Sequence, residues 1–219
     1  MANVPQTEGW RTLIAMSSNA RRGQSVERAD ARRNRQLLLD AAASCVAEQG
    51  LSVAALDIAE RAGVGVATLY RRFTTKEALI EQILLDIFAA LEDAGAQALE
   101  HSDPWQGFEV FIRTIARMTV QNAGLAQALE SVATPKVARG QMRIRLIVKR
   151  LTTRAQKAGV LRSDISWADV VFIPKAVLTS SRCLGLDASV QSPDRTLTLL
   201  LDGLRTPLPS PLPGRPPAW

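Results

Sequence analysis

The amino-acid sequence predicts an all-α protein in which a small N-terminal helix-turn-helix domain is joined by a connecting helix to a larger helical body. Apolar residues recur with the helical period through most of the chain. No segment alternates for long between apolar and polar residues, as a half-buried strand would. Two short helical segments near the N-terminus are joined by a tight turn that contains glycine, which is typical of a helix-turn-helix.

Composition divides the chain into four parts. They are a flexible basic arm over residues 1–30, the helix-turn-helix domain over 31–78, the helical body over 79–205, and a Pro-rich disordered tail over 206–219. The arm is polar and lacks a helical period. The tail carries six prolines and therefore cannot continue a helix.

Helix boundaries are predicted from capping residues and glycines. Three helices are expected in the helix-turn-helix domain, over 32–49, 54–62 and 66–72, and Gly50 and Gly63 follow the first two. Thr75 is the expected N-cap of the connecting helix, and Asp103 followed by Pro104 begins the next one. Helices of the body are predicted over 75–99, 104–122, 124–133, 137–158, 166–184 and 194–205.

The charge balance favours an anionic partner. The formal net charge is +6 and the isoelectric point is near 10.0, which fits nucleic acid or a membrane surface. No apolar run approaches the roughly 20 residues that span a bilayer, and we predict a cytoplasmic protein with no membrane contact. Cys45 and Cys183 lie far apart and are expected to be free thiols.

No catalytic apparatus is predicted. His101 is the only histidine and lies in a polar, helix-breaking segment. The sequence has no paired Cys/His spacing, no Gly-rich phosphate loop after a strand and no nucleophile motif. We therefore predict no metal, no cofactor and no enzymatic activity.

The third helix has the composition of a helix that reads DNA. The major groove is about 12 Å wide, so the face that enters it must be slim. Gly65, Val66, Ala67 and Thr68 provide such a face, and the Thr68 hydroxyl can bond base edges. Contacts to phosphate are predicted from Tyr70, Arg71, Arg72, Lys76 at the start of the fourth helix, and Arg32 and Arg33 beside the arm.

Residues 35–84 resemble the DNA-binding domain of TetR-type transcriptional regulators. The motifs that carry the resemblance are "DIAERAGV", "TLYRRF" and "TKEALI", in order and without gaps, and Thr68, Tyr70 and Lys76 occupy matching motif positions. The resemblance implies a cytoplasmic, ligand-responsive repressor. It would bind a palindromic operator as a homodimer, and its larger C-terminal domain, here 79–205, would bind a small effector and dimerise.

This chain departs from the family pattern at two positions. Ala54 stands where the family usually has Ser or Thr to cap the second helix and bond a phosphate. Either Ser52 caps this helix from a shifted position or the helix frays, at a cost of ~1 kcal/mol. Gly65 stands where the family often has Ser, and glycine can still occupy an N-cap.

The effector pocket is predicted among the middle helices. Its candidate lining residues are Phe88, Trp105, Phe108, Ile112, Ile115, Met118 and Leu129. Ordinary core packing is the simpler interpretation of each of these residues, and composition does not separate the two because a pocket and a core have similar apolar compositions.

Nine basic residues and no acidic residue lie between positions 136 and 162. One interpretation is a solvated face balanced by acidic residues elsewhere, such as Glu92, Asp93, Glu100 and Glu109. The other is a site for an anionic effector, for DNA or for an acidic partner. An alternative function follows from the second interpretation: a helical protein that binds anionic lipid or an acidic partner through the basic helix 137–158.

The last two helices are predicted to form the dimer interface as a two-fold four-helix bundle. The candidate interface residues are Val170, Val171, Val177, Leu197, Leu200, Leu201 and Leu204. Pro174 lies inside the first of these helices and must kink or divide it.

Overall fold

The computed structural model describes residues 26–121, 131–177, 182–205 and 209–217, which form eight α-helices and one short β-hairpin. The helices are α1 (Val26–Gln49), α2 (Ala55–Arg61), α3 (Val66–Arg72), α4 (Lys76–Glu100), α5 (Pro104–Gln121), α6 (Pro135–Lys157), α7 (Trp167–Ala176) and α8 (Ser192–Arg205). The strands β1 (Arg182–Cys183) and β2 (Leu186–Asp187) lie between α7 and α8. None of these helices is both long enough and apolar enough to cross a membrane.

The chain divides into two compact units. The first comprises Met1–Ala90 with Gln121–Gly140, and the second comprises Leu91–Val120 with Gln141–Trp219. This division does not follow the boundary at residue 78 that we predicted, because it places the first part of α4, up to Ala90, in the first unit. The predicted domains describe functions rather than packing, and they stay a prediction.

The helix-turn-helix region folds as its glycines predict. α1 begins at Val26, inside the predicted arm, so the arm is at least five residues shorter than expected. Gly50 and Gly63 follow α1 and α2 with φ angles of 72° and 68°, a left-handed backbone that glycine adopts without strain. The core of the first unit consists of fully or nearly fully buried side chains, among them Leu38, Leu39, Val46, Ile58, Leu69, Leu79 and Leu84.

The second unit has a continuous apolar core. α5 begins as predicted, since the Asp103 carboxylate accepts from the backbone N–H of Trp105 at 2.8 Å and Pro104 is the first helical residue. Most of the predicted helix 124–133 lies outside the described residues. The core residues come from the five helices α4 to α8 and from the connection between α6 and α7, and include Phe108, Phe111, Ile112, Val148, Leu151, Leu161, Val170, Leu197 and Leu201.

The predicted helix 166–184 is shorter in the structure. α7 begins with a capping box, in which Ser166 accepts from Ala168 N–H and Asp169 accepts from Ser166 N–H, and it ends at Ala176, two residues after Pro174. The β-hairpin follows, and its turn residues Leu184 and Gly185 have φ angles of 51° and 83°. Two successive positive φ angles form a hairpin turn rather than a helix.

Candidate nucleic-acid interface

α3 is fixed to the first unit by its apolar side. Leu69 is fully buried and Phe73, at the end of the helix, is 7% exposed. The guanidinium of Arg35 lies over the Phe73 ring, 5.7 Å from its centroid. Leu69 and Phe73 therefore anchor the helix, and the rest of α3 is left for an external partner.

The opposite side of α3 is exposed and slim. Gly65, Val66 and Ala67 are exposed, Thr68 is half-buried, and no atom lies within 4 Å of the position that a Cβ of Gly65 would occupy. Glycine, two small aliphatic residues and a threonine therefore form a face without a bulky side chain. Its dimensions and chemistry suit the base edges of a major groove.

Hydroxyl and guanidinium groups follow this face along the chain. Tyr70 is 49% exposed, and Arg71 and Arg72 are also exposed. Within the described residues, neither Arg71 nor Arg72 forms an ion pair, whereas Arg61 on α2 makes two bonds of 2.7 Å to Glu48. That contact lowers the pKa of the Glu48 carboxyl and neutralises Arg61. The two arginines of α3 thus have no acidic partner among the described residues.

Lys76 makes two contacts that the sequence did not predict. Its ammonium donates to the carbonyl oxygens of Leu51 and Val53 at 2.9 and 3.0 Å. An ammonium has three donors, so two of them fasten the start of α4 to the connection between α1 and α2. The residue therefore positions the helix-turn-helix. A sequence motif does not show this, because the carbonyls lie more than 20 positions away.

The starts of α2 and α4 differ in their capping. Thr75 caps α4, since its hydroxyl accepts from Ala78 N–H at 3.0 Å, as predicted. Ala54 precedes α2 and provides no side-chain cap. The Ser52 hydroxyl donates to Gln49 O at 3.1 Å and does not replace the missing cap. α2 consequently begins with unsatisfied backbone N–H groups.

The residues predicted beside the arm are described only in part. Arg33 is exposed, and the Arg32 side chain lies outside the described part of the structure.

The predicted pocket residues fall in different places. Trp105, Phe108, Ile112 and Met118 are buried in the second unit, where Ile115 is partly buried. Phe88 belongs to the first unit, and its ring packs directly against Gly140. Leu129 lies outside the described residues.

The predicted dimer interface needs a correction. Val170, Val177, Leu197 and Leu201 are no more than 1% exposed in the single chain, so they are core residues and cannot contact a partner. Leu204 is partly buried against the same core. Among the predicted residues Val171 and Leu200 are exposed, at 40% and 37%. The sequence analysis missed Phe172 and Leu199, which are 57% and 74% exposed, because both faces of these helices are apolar.

Several residues of the basic segment 136–162 have local partners. Arg143 contacts Glu92 at 2.6 Å and Lys136 contacts Glu81 at 3.3 Å. Arg154 donates to the carbonyl oxygens of Leu99 and His101. These contacts support the interpretation of this segment as a solvated face whose charges are partly balanced by acidic residues elsewhere. Glu109, by contrast, accepts from its own helix neighbours Trp105 and Arg113.

A buried helix-turn-helix core with an exposed, slim third helix defines a DNA-binding protein. Residues 38–83 match the family described as "Bacterial regulatory proteins, tetR family", and residues 103–206 match the "Transcriptional regulator SbtR-like, C-terminal domain". The chain belongs to the TetR family of bacterial regulatory proteins, and it is a DNA-binding, ligand-responsive transcriptional repressor. Proteins of this family are in general not enzymes.

Solved structures agree with this assignment. A TetR transcriptional regulator from Streptomyces coelicolor is 34% identical, with a TM-score of 0.58 over 78% of this chain and 98% of that one. A TetR regulatory protein from Mycobacterium vanbaalenii is 29% identical, with a TM-score of 0.58 over 82% and 99%. The ketosteroid regulator KstR2 of Mycobacterium tuberculosis, at 20% identity and a TM-score of 0.63 over 84% and 98%, shares the fold. A search of curated proteins found no match. None of these comparisons supports a lipid-binding function for the basic helix.

Proposed function

We propose that the protein binds a palindromic DNA operator as a homodimer, with α3 of each protomer in a major groove. The observation that carries this proposal is the exposed face of Gly65, Val66, Ala67 and Thr68 on a helix whose other side is anchored by Leu69. In this arrangement Thr68 reads a base edge, and the methyl groups of Val66 or Ala67 contact a thymine methyl.

Phosphate contacts come from the residues that flank this face. Tyr70 donates its hydroxyl to a phosphate oxygen, and Arg71 and Arg72 supply charge. Arg32 and Arg33, beside the N-terminal arm, add phosphate or minor-groove contacts. Lys76 holds the carbonyls of the connection between α1 and α2 with two of its three donors, and its third donor binds a phosphate oxygen.

The dimer forms through the exposed apolar residues of α7 and α8. Val171 and Phe172 on α7, with Leu199 and Leu200 on α8, are between 37% and 74% exposed in one chain. Pairing two copies through these faces buries all four side chains and builds a four-helix interface. A two-fold dimer presents its two recognition helices about one turn of DNA apart, or a multiple of that distance, which requires a palindromic site.

The effector acts by population shift. A ligand that binds among the middle helices of the body, within residues 79–205, favours a state in which the two recognition helices no longer match the operator spacing. The connecting helix α4 transmits this change. The ligand must therefore bind the two states with different affinities.

Selection from a random duplex library tests the proposal. Purified protein at roughly physiological salt is expected to enrich an inverted repeat whose two half-sites are separated by about one helical turn or a multiple of it. A Phe172→Glu variant, which places charge in the proposed interface, is expected to enrich only single half-sites weakly. A pool that shows no enriched sequence with the wild-type protein would contradict the proposal.

A further inference from the structure

Thr152 on α6 is the one fully buried polar side chain within the described residues, at 1% exposure. Its hydroxyl has no hydrogen-bond partner. A buried hydroxyl without a partner loses the bonds that water would offer and destabilises the folded state. Such a group in a native core calls for an explanation.

Four other hydroxyl groups on helices form hydrogen bonds within their own helix. Thr114, Thr119 and Thr198 each donate to the carbonyl oxygen four residues earlier, at 2.8 to 2.9 Å. Ser44 does the same at 3.0 Å. This back-bonding is open to any helical threonine. Thr152 does not use it, so its hydroxyl is available to another molecule.

The surroundings of Thr152 are apolar. It shares a face of α6 with Val148 and Ala155, which lie four and three positions away and belong to the core of the second unit. That core also contains the aromatic rings of Phe108 and Phe111 on α5. A ligand beside Thr152 therefore contacts mainly aliphatic and aromatic side chains.

Several other polar side chains of the second unit have hydrogen-bond partners. The indole N–H of Trp105 donates to Glu109 at 2.7 Å. The Gln156 side-chain amide donates to the carbonyl oxygens of Arg162 and Ile165 at 3.1 and 2.9 Å. Arg154 donates to the carbonyls of Leu99 and His101. Thr152, by contrast, is the buried side chain among the described residues whose polar atom has no hydrogen-bond partner.

We propose that the Thr152 hydroxyl is the polar anchor of the effector, and that the effector is a neutral, mainly apolar molecule with one ketone or hydroxyl group. This inference rests on the proposed ligand response and names the ligand class for it. An ionised ligand is disfavoured, because a charge beside these apolar residues would lack a counter-charge. A hydrocarbon without a polar group would leave the hydroxyl unpaired.

The packing of α6 explains how occupancy is sensed within the second unit. A Cβ on Gly95 of α4 would lie 2.6 Å from the Ile147 side chain of α6, so the two helices are in close contact at this position. Ile147 precedes Val148, which shares the face of Thr152. A ligand that displaces α6 at this position must also displace α4 or break their contact.

Binding of two fluorescent probes tests the proposal. Prodan is a neutral naphthalene with one ketone, and 1-anilinonaphthalene-8-sulfonate is an aromatic anion. The variants are Thr152→Val, which keeps the side-chain shape and removes the hydroxyl, and Thr153→Val, which makes the same change at an exposed neighbour. We expect Prodan to bind the wild type and Thr153→Val with equal affinity, and to bind both more tightly than the anion does. Its affinity for Thr152→Val is expected to be about tenfold lower.

Thermal unfolding without probe supplies the second measurement. Thr152→Val is expected to raise the melting temperature or leave it unchanged, because it removes an unpaired buried hydroxyl. A lower melting temperature would mean that the hydroxyl is already satisfied. That result would contradict the proposal that Thr152 anchors the effector. Equal Prodan affinity of all three proteins, or no binding of Prodan by the wild type, would also contradict it. Operator binding, measured without probe, tests the proposed function separately. If the wild-type protein binds no operator, the proposed function fails, but the comparison of Prodan affinities still tests Thr152.

Discussion

The two compact units place their recognition residues in opposite environments. In the first unit α3 exposes Val66, Ala67 and Tyr70 and buries only Leu69 within its length. In the second unit the candidate ligand contact, Thr152, is buried in a core of apolar residues. The difference follows from the size of the partner. A DNA duplex is read from outside by surface side chains, whereas a small molecule must be enclosed to gain contact area.

Removal of the Leu69 side chain is expected to have the largest effect. Leu69→Ala leaves a cavity under α3 and should lower the free energy of unfolding by about 2–5 kcal/mol, with loss of operator binding. Chemical denaturation and a DNA-binding assay measure both. Leu56→Ala on α2, where the side chain is 54% exposed, is the control and should change stability by less than ~0.5 kcal/mol. Equal losses in the two variants would mean that Leu69 does not anchor α3.

Thr68 and Tyr70 are expected to separate sequence preference from affinity. Thr68→Ala should relax preference at particular base pairs, by about 1–3 kcal/mol of discrimination. Tyr70→Phe removes a phosphate contact and should weaken binding to all sequences alike. Competition binding with single-base variants of the selected operator distinguishes these results. The reverse pattern would exchange the roles that we assign to the two residues.

A cap at the start of α2 should stabilise the first unit. Ala54→Ser supplies a hydroxyl for the unsatisfied N–H groups of α2, and the free energy of unfolding should rise by ~1 kcal/mol. Ala54→Gly is the control, since it changes the same position without adding a hydroxyl. If the serine variant is no more stable than the glycine variant, its hydroxyl does not cap the helix.

The contact between α4 and the start of α6 should depend on pH. Thr134 donates to Glu81 at 2.5 Å, and this bond, with Lys136, lowers the pKa of the Glu81 carboxyl. A carboxyl whose pKa is lower in the folded state stabilises the fold above its unfolded pKa and loses this contribution as the pH falls through the folded one. Glu81→Gln should therefore flatten the fall in melting temperature between about pH 6 and pH 3. The exposed Glu77→Gln is the control, and identical profiles for both variants would contradict the assignment.

The smallest effect is expected on the basic face of α6. Arg145 and Arg150 are exposed, and their joint replacement by alanine should leave the slope of log affinity against log salt unchanged. A protein that lost two phosphate contacts would show a slope lower by about 0.9 for each. Such a decrease would assign this face to DNA.

The sequence predicts the first unit better than the second because local signals dominate there. The bounds of α3 match the prediction, and Gly63 and Thr75 act within a few residues of their own positions. The Lys76 contacts were missed because they join distant parts of the chain.

Errors in the second unit have a related cause. Helices with two apolar faces do not disclose which face is buried, so Phe172 and Leu199 were missed while Val170 and Leu197 were placed at the interface. Thr152 was missed because its environment depends on the packing of α5 and α6.

A nuclease footprint on the DNA that flanks this protein's own gene tests the central claim most directly. At roughly physiological salt, we expect one bounded region of protection that covers two symmetric half-sites and is absent with the Leu69→Ala variant. Protection without boundaries that disappears as the salt concentration rises would show only nonspecific binding to phosphate, and would contradict the assignment of α3 as a sequence-reading helix at that locus.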